Sequence, residues 1–203
     1  MFSQLDSATI RDAIIDGVVT GRHNSHYVGG IAGHNTNKGI IMCLNLADIT
    51  GESATSIVGG IVGESYNSFF DGVANNGTIT GGQYVGGIAG RLIWDYCEEE
   101  PYSSKYMSNA GTIQGNNTII EDNSYIAGIV AFVNSKSVLS GLVNIGEIKG
   151  QNFDYVGGIV AYNSGCSLSI CSNAGIIEGG TTYTGGIVGC LRSGEVKSCI
   201  NTN

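Results

Sequence analysis

One short phrase returns along the chain: Tyr27-Val28-Gly29-Gly30-Ile31-Ala32-Gly33, then Ile57 to Gly63, Tyr84 to Gly90, Tyr125 to Ala131, Tyr155 to Ala161 and Tyr183 to Gly189. From the second glycine of each copy to the next, Gly30 through Gly60, Gly87, Gly128 and Gly158 to Gly186, the steps are 30, 27, 41, 30 and 28 residues. A self-similar period of this length belongs to solenoids, whose repeats stack on their neighbours because none can bury its own apolar face alone. A helical reading fails for want of a sustained 3.6-residue period. The 33 glycines stand in its way as well.

A second phrase, Asn-x-Gly-x-Ile-x-Gly, sits between copies of the first. It runs Asn45 to Gly51, with Ala47 in place of the first glycine, then Asn75 to Gly81, Asn109 to Gly115, Asn144 to Gly150 and Asn173 to Gly179, and starts again at Asn201. The marker glycine precedes the asparagine by 15 residues in four repeats, by 16 from Gly128 to Asn144 and by 22 from Gly87 to Asn109, so one repeat carries an insertion.

These spacings predict an all-β fold, a β-solenoid (β-helix) of about six rungs with roughly 28–30 residues per repeat and two loop insertions. It forms a single domain, 1–203, with a partial N-terminal rung or cap at 1–21. Repeats follow at 22–51, 52–81, 82–115, 116–150 and 151–179, with an incomplete one at 180–203. In such a coil equivalent strands pair at about 4.8 Å, and equivalent residues form columns. Val19, Ile49, Ile79, Ile113, Ile148 and Ile177 make one aliphatic column; Ile31, Ile61, Ile88, Ile129, Ile159 and Ile187 make another. Asn45, Asn75, Asn109, Asn144, Asn173 and Asn201 make a third, in which amides can hydrogen-bond along the stack. The glycines mark corners, where a sharp bend excludes a side chain.

Charge narrows the partners. With 9 basic against 17 acidic residues the net charge is −8, which argues against nucleic acid or anionic lipid held by a basic surface. No apolar run is long enough for a membrane span, so direct insertion is not expected. Met1 to Ser7 lack a basic region followed by a long apolar run, the mark of a secretion signal. Two settings compete, a cytoplasmic protein and a piece of an exported one. The mid-rung register of both ends favours the second, an extracellular or cell-surface location. Cys43, Cys171 and Cys199 share a position that Val73, Met107 and Leu142 hold elsewhere, which reads as small core side chains.

The two phrases resemble the GLUG motif, a repeat named for its Gly-Leu-hydrophobic-Gly core and found in bacterial surface proteins. Gly30-Ile31-Ala32-Gly33, Gly60-Ile61-Val62-Gly63, Gly87-Ile88-Ala89-Gly90 and Gly186-Ile187-Val188-Gly189 match with Ile in place of Leu, while the copies at Gly128 and Gly158 end in Ala. The resemblance covers nearly the whole chain. It implies an adhesin, a secreted surface protein or a non-catalytic part of an immunoglobulin A peptidase. The metallopeptidase itself would need His-Glu-x-x-His, which is absent here.

No residue set is assigned to catalysis, to a cofactor or to a metal. His23, His26 and His34 match no established ligand spacing. The acids that depart from the repeat, Asp95, Glu98, Glu99, Glu100, Glu121 and Asp122, lie in its two interruptions and have no basic cluster beside them. Those interruptions, Arg91 to Tyr106 and Asn116 to Ser124, are where a rigid coil would carry binding residues. The first holds the candidate recognition loop: Trp94, Asp95, Tyr96, Glu98, Glu99, Glu100 and Tyr102. Aromatic rings beside carboxylates suit a sugar or a protein surface. The tyrosine column Tyr27, Tyr84, Tyr125, Tyr155 and Tyr183 offers an aromatic strip or a structural repeat position. The expected function is a non-enzymatic cell-surface adhesion or interaction module with a protein or glycan ligand. A structural spacer or end-to-end self-assembling solenoid is the alternative, and a carbohydrate-active β-helix enzyme the third reading.

Overall fold

A computed structural model describes residues 2–94, 103–116, 123–134 and 136–203. It is an all-β parallel solenoid of about six turns, without a helix among the described residues. In the rung at 22–51 the chain passes through strands Tyr27–Gly29, Ala32–Thr36, Ile40–Ile41, Leu44–Asn45 and Asp48–Gly51. Each pairs in parallel with its counterpart one rung on, Val28 with Val58, Asn45 with Asn75 and Ile49 with Ile79. The ladders make a 6-stranded tyrosine sheet, a 7-stranded asparagine sheet, a 6-stranded threonine sheet and a 12-stranded long sheet. The long sheet joins two ladders, because Val160–Ser169 runs as one 10-residue strand through a bend that interrupts the earlier rungs.

Alternation along each strand decides what is buried. In the threonine sheet Asp48 is exposed, Ile49 buried and Thr50 partly exposed, and the aliphatic column continues inward through Ile79, Ile113 and Ile148. These isoleucines form one core lobe with Val28, Val58, Val85, Ile126 and Val156. The larger lobe holds the Ile31 column together with Phe70, Met107 and Leu139. Each fully buried aliphatic side chain contributes about 1.5–3 kcal/mol.

The asparagine column supplies the polar element of this interior. Nδ2 of Asn45 donates to Oδ1 of Asn75 at 2.7 Å, and the same bond links Asn75 to Asn109, Asn109 to Asn144, Asn144 to Asn173 and Asn173 to Asn201. Each Nδ2 also donates to the carbonyl two residues on, as from Asn45 to Ala47 and from Asn75 to Gly77. The first amide is the exception: Ile15 holds the register position before Asn45, and Asn45 Oδ1 is buried without a donor.

This ladder accounts for glycines in both phrases. A Cβ on Gly60 would lie 2.5 Å from Asn75 Oδ1, and one on Gly111 would lie 3.0 Å from Asn75 Nδ2 and collide with the Gly77 carbonyl. The marker glycine and the glycine of Asn-x-Gly thus close on the amides from two sides.

A separate corner, between the long and asparagine sheets, holds one residue per rung in the left-handed region: Asp12, Met42, Gly72, Tyr106, Gly141, Ile170 and Ser198, with φ between 50° and 67°. A non-glycine residue pays about 1–2 kcal/mol for that conformation. A side chain on Gly72 would meet Met42 Sδ, and one on Gly141 the Tyr106 ring, so the large residues lie across the glycines that follow them.

Two sequence expectations are refined. Of the two readings of 1–21, rung or cap, the first holds, because Phe2–Asp6 pairs in parallel with Ala32–Thr36 and so extends the coil. The first insertion is shorter than Arg91 to Tyr106, because Ala89–Ile93 and Ser103–Lys105 are ladder strands with Leu92 and Ser104 fully buried.

Candidate functional site

Of the candidate recognition loop, only Trp94 falls within the described residues. Asp95, Tyr96, Glu98, Glu99, Glu100 and Tyr102 lie outside them, as do Glu121 and Asp122. Trp94 is not a contact residue. It is 6% exposed and belongs to the larger core lobe: two residues after the buried Leu92, strand alternation turns it inward past the half-buried Ile93, and its large apolar ring gains by burial there. Its Nε1 is buried without an acceptor. Asn116, at the start of the second interruption, donates through Nδ2 to the carbonyls of Gly51 and Ser53 and so is tied to an earlier rung.

The histidines diverge. His23 is exposed and faces Glu52 at 3.5 Å, whereas His34 lies 3.6 Å from Glu64 on another strand. Among the described residues no group of three His, Cys, Asp or Glu side chains is placed to hold a metal. Cys43, Cys166 and Cys171 are buried free thiols, and burial pushes Cys166 up to about 11 and Cys171 up to about 12.

The described surface is most organised where the tyrosine sheet meets the long sheet. Outward side chains of the two sheets touch there, which makes the outer corner re-entrant. Tyr84, Tyr125, Tyr155 and Tyr183 stack, with ring centroids 4.8, 4.8 and 5.1 Å apart. Phe132 and Tyr162 form a second stack at 5.3 Å beside them. The stacks meet edge to face, Tyr125 with Phe132 at 5.5 Å and Tyr155 with Tyr162 at 5.5 Å. Ala131 and Ala161 floor this part of the corner; they are the two copies in which the phrase ends in Ala instead of Gly.

An ionic cluster continues the strip toward the N-terminus. The Arg91 guanidinium lies over the rings of Tyr84 and Phe132 at 5.2 and 5.7 Å and pairs with Glu64 at 2.9 Å. Glu64 is nearly buried, with His34 on its other side and Tyr27 tilted against His34 at 5.6 Å. At the other end Arg192 Nη1 donates to Tyr162 Oη at 3.3 Å. Burial, then the neighbouring phenols, push Tyr125 well above the usual tyrosine range, and burial raises Tyr155 as well. At neutral pH the hydroxyls of Tyr125 and Tyr155 therefore stay uncharged, and the faces of both rings are covered by their neighbours.

The tyrosines were visible in the sequence, but the facing column was not read there. His34, Glu64, Arg91, Phe132, Tyr162 and Cys190 each stand four residues after the marker glycine and pair in register. Their common offset was the available signal, and their mixed chemistry hid it. Compared with protein-family models, curated proteins and solved structures, the chain matches none, so the reading of this surface rests on its own residues.

Proposed function

We propose that this solenoid is a non-enzymatic interaction module that presents the aromatic strip to a protein or glycan ligand at a cell surface. The observation that carries the reading is the pair of aromatic stacks in one re-entrant corner, capped by Arg91. Stacked rungs fix the rings before any ligand arrives, so little side-chain freedom is left to lose on binding. Ring edges, hydroxyls and the two arginines supply both apolar and hydrogen-bonding contact. A glycosidase needs two carboxylates flanking the bond it cleaves. Glu64 is the one carboxylate in the column of the strip, and it is engaged with Arg91. The surface setting rests on the GLUG-like phrases. A rigid spacer is the second reading, favoured by the unbroken amide ladder.

The test is binding to glycan arrays and to cell-surface protein preparations, comparing the native chain with a Tyr162→Ser/Tyr183→Ser variant. Loss of binding with an unchanged melting temperature supports the module. Equal binding by both proteins removes the strip as the recognition surface, and no binding by either favours the spacer.

A further inference from the structure

The outer face of the asparagine sheet differs from the strip and from the other faces. Its strands are two residues long, and because the asparagine points inward, the residues on either side of it point out. From Met42 to Ala174 neither these positions nor the adjoining left-handed corner carries a charged side chain, on a chain of net charge −8. The large apolar residues there are open to solvent: Met42 is 61%, Tyr106 64% and Ile170 67% exposed, and Leu46, Val143 and Ile145 are exposed beside them.

Exposure is joined by an independent cost in the backbone. Met42, Tyr106 and Ile170 sit at φ 52°, 55° and 56°, where the intervening rungs place Gly72 and Gly141. For a β-branched side chain such as Ile170 that conformation is an outlier. Glycine would relieve the strain and remove the exposed apolar surface together; Met42 and Tyr106 recover part of that cost against Gly72 and Gly141, and most of each side chain still stays open to solvent, where a covering surface would gain.

The size of the face sets the strength of the contact. In the first rung Asp12 and Asp16 hold these positions, so the charge-free face spans five strands. At about 4.8 Å between strands and five residues of about 3.3 Å each, it is a flat area of roughly 400 Å², within the range of the largest patch on a typical monomer. Doubled, it has the size of a weak, transient contact.

We infer that two copies of this chain pack side by side through this face, sheet against sheet. A second copy fits it for two reasons. Repulsion between two chains of net charge −8 is least where neither carries charge. A flat surface ribbed at the rung spacing is matched along its length by another surface with the same ribs. A two-fold contact of this kind uses one patch on both copies and closes at the dimer.

Sedimentation velocity over a concentration series tests the inference on the full chain. The native protein is expected to pass from monomer to dimer and stop there. A Met42→Lys/Ile170→Lys variant should stay monomeric with an unchanged melting temperature, since both side chains are exposed. Ile170→Gly should weaken the dimer while raising the melting temperature measured at low concentration, where the monomer prevails; a merely structural role for Ile170 would lower it. A native protein that stays monomeric overturns the inference. So does dimerisation untouched by the lysine pair, or growth past the dimer, which belongs to end-to-end stacking.

Discussion

Asn75 Nδ2 donates to Asn109 Oδ1 at 2.7 Å and to the Gly77 carbonyl at 2.9 Å, so both hydrogens of one buried amide are used, one between rungs and one within its own. The interior of this coil is therefore not apolar throughout. A hydrogen-bonded line runs along it, and the glycine phrases on either side leave room for that line.

Asn109→Leu removes the acceptor of Asn75 and the donor of Asn144 while both stay buried. A buried group left unpaired costs about 1–3 kcal/mol, so the variant should lose about 2–5 kcal/mol in urea unfolding. Asn201→Leu, at the exposed last member, removes only the acceptor of Asn173 and should lose less, about 1 kcal/mol. Equal losses at the two sites would mean the ladder contributes nothing beyond its place in the strand.

Gly87→Ala and Gly179→Ala separate the two kinds of glycine. A Cβ on Gly87 would stand 2.7 Å from Asn109 Cγ and collide with the Gly128 carbonyl, whereas on Gly179 its nearest neighbour is Thr184 Oγ1 at 3.2 Å. The first change should cost more than about 3 kcal/mol or prevent soluble expression, and the second less than about 1 kcal/mol. Thermal melts of the two proteins decide.

Trp94 gives a direct optical test, since it is the only tryptophan. Its emission should be blue-shifted in the folded protein and move to the red on unfolding. Trp94→Ala should cost about 3–5 kcal/mol as a core truncation. Trp94→Phe keeps a ring in place and removes the unpaired Nε1, so it should change stability by less than about 1.5 kcal/mol. Solvent-exposed emission with a neutral alanine variant would return the side chain to the loop.

The buried thiols set an alkaline limit. Cys166 and Cys171 rise from the ordinary 9.0 to about 11 and about 12, chiefly through burial. Above about pH 9 the unfolded chain loses protons that the folded chain keeps, so stability is whole below that pH and falls as pH climbs toward 12. Melting temperatures measured from pH 8 to 11 should decline, and less steeply in Cys171→Val, which copies the Val73 of another rung. Identical slopes would place the titration elsewhere, in the phenols of Tyr125 and Tyr155.

How much of this was legible depends on whether a residue's role repeats. Ile49, Ile79 and Ile113 face the same neighbours in every rung, so period alone marks them as a buried column, and the asparagine column is equally plain. Trp94 was misread because it lies where the period breaks, and nothing in the spacing says that the strand beginning at Ala89 reaches Ile93 and carries the indole inward. Glu64 and Arg91 occupy one column and meet as an ion pair, yet opposite charges at an equivalent position look like variability to a reader seeking sameness. The exposed corner at Met42, Tyr106 and Ile170 was hidden for a different reason. Its left-handed backbone has a sequence signal in Gly72 and Gly141, but large residues in alternate rungs mask it.

The amide line has one direction, each asparagine donating forward and accepting from behind. Removing residues 52–81 would bring Asn45 opposite Asn109, and the same bond would form again; inserting a further whole unit would leave every amide paired in the same way. Loss or gain of part of a unit within the strands would instead leave a carboxamide facing a side chain that cannot answer it, as Asn45 Oδ1 already does beneath Ile15. The connections are free of this constraint, since the amides pair across both insertions. The spine of this protein is therefore quantised: it grows or shrinks by gene duplication or deletion of complete turns, and smaller steps are confined to the loops between strands.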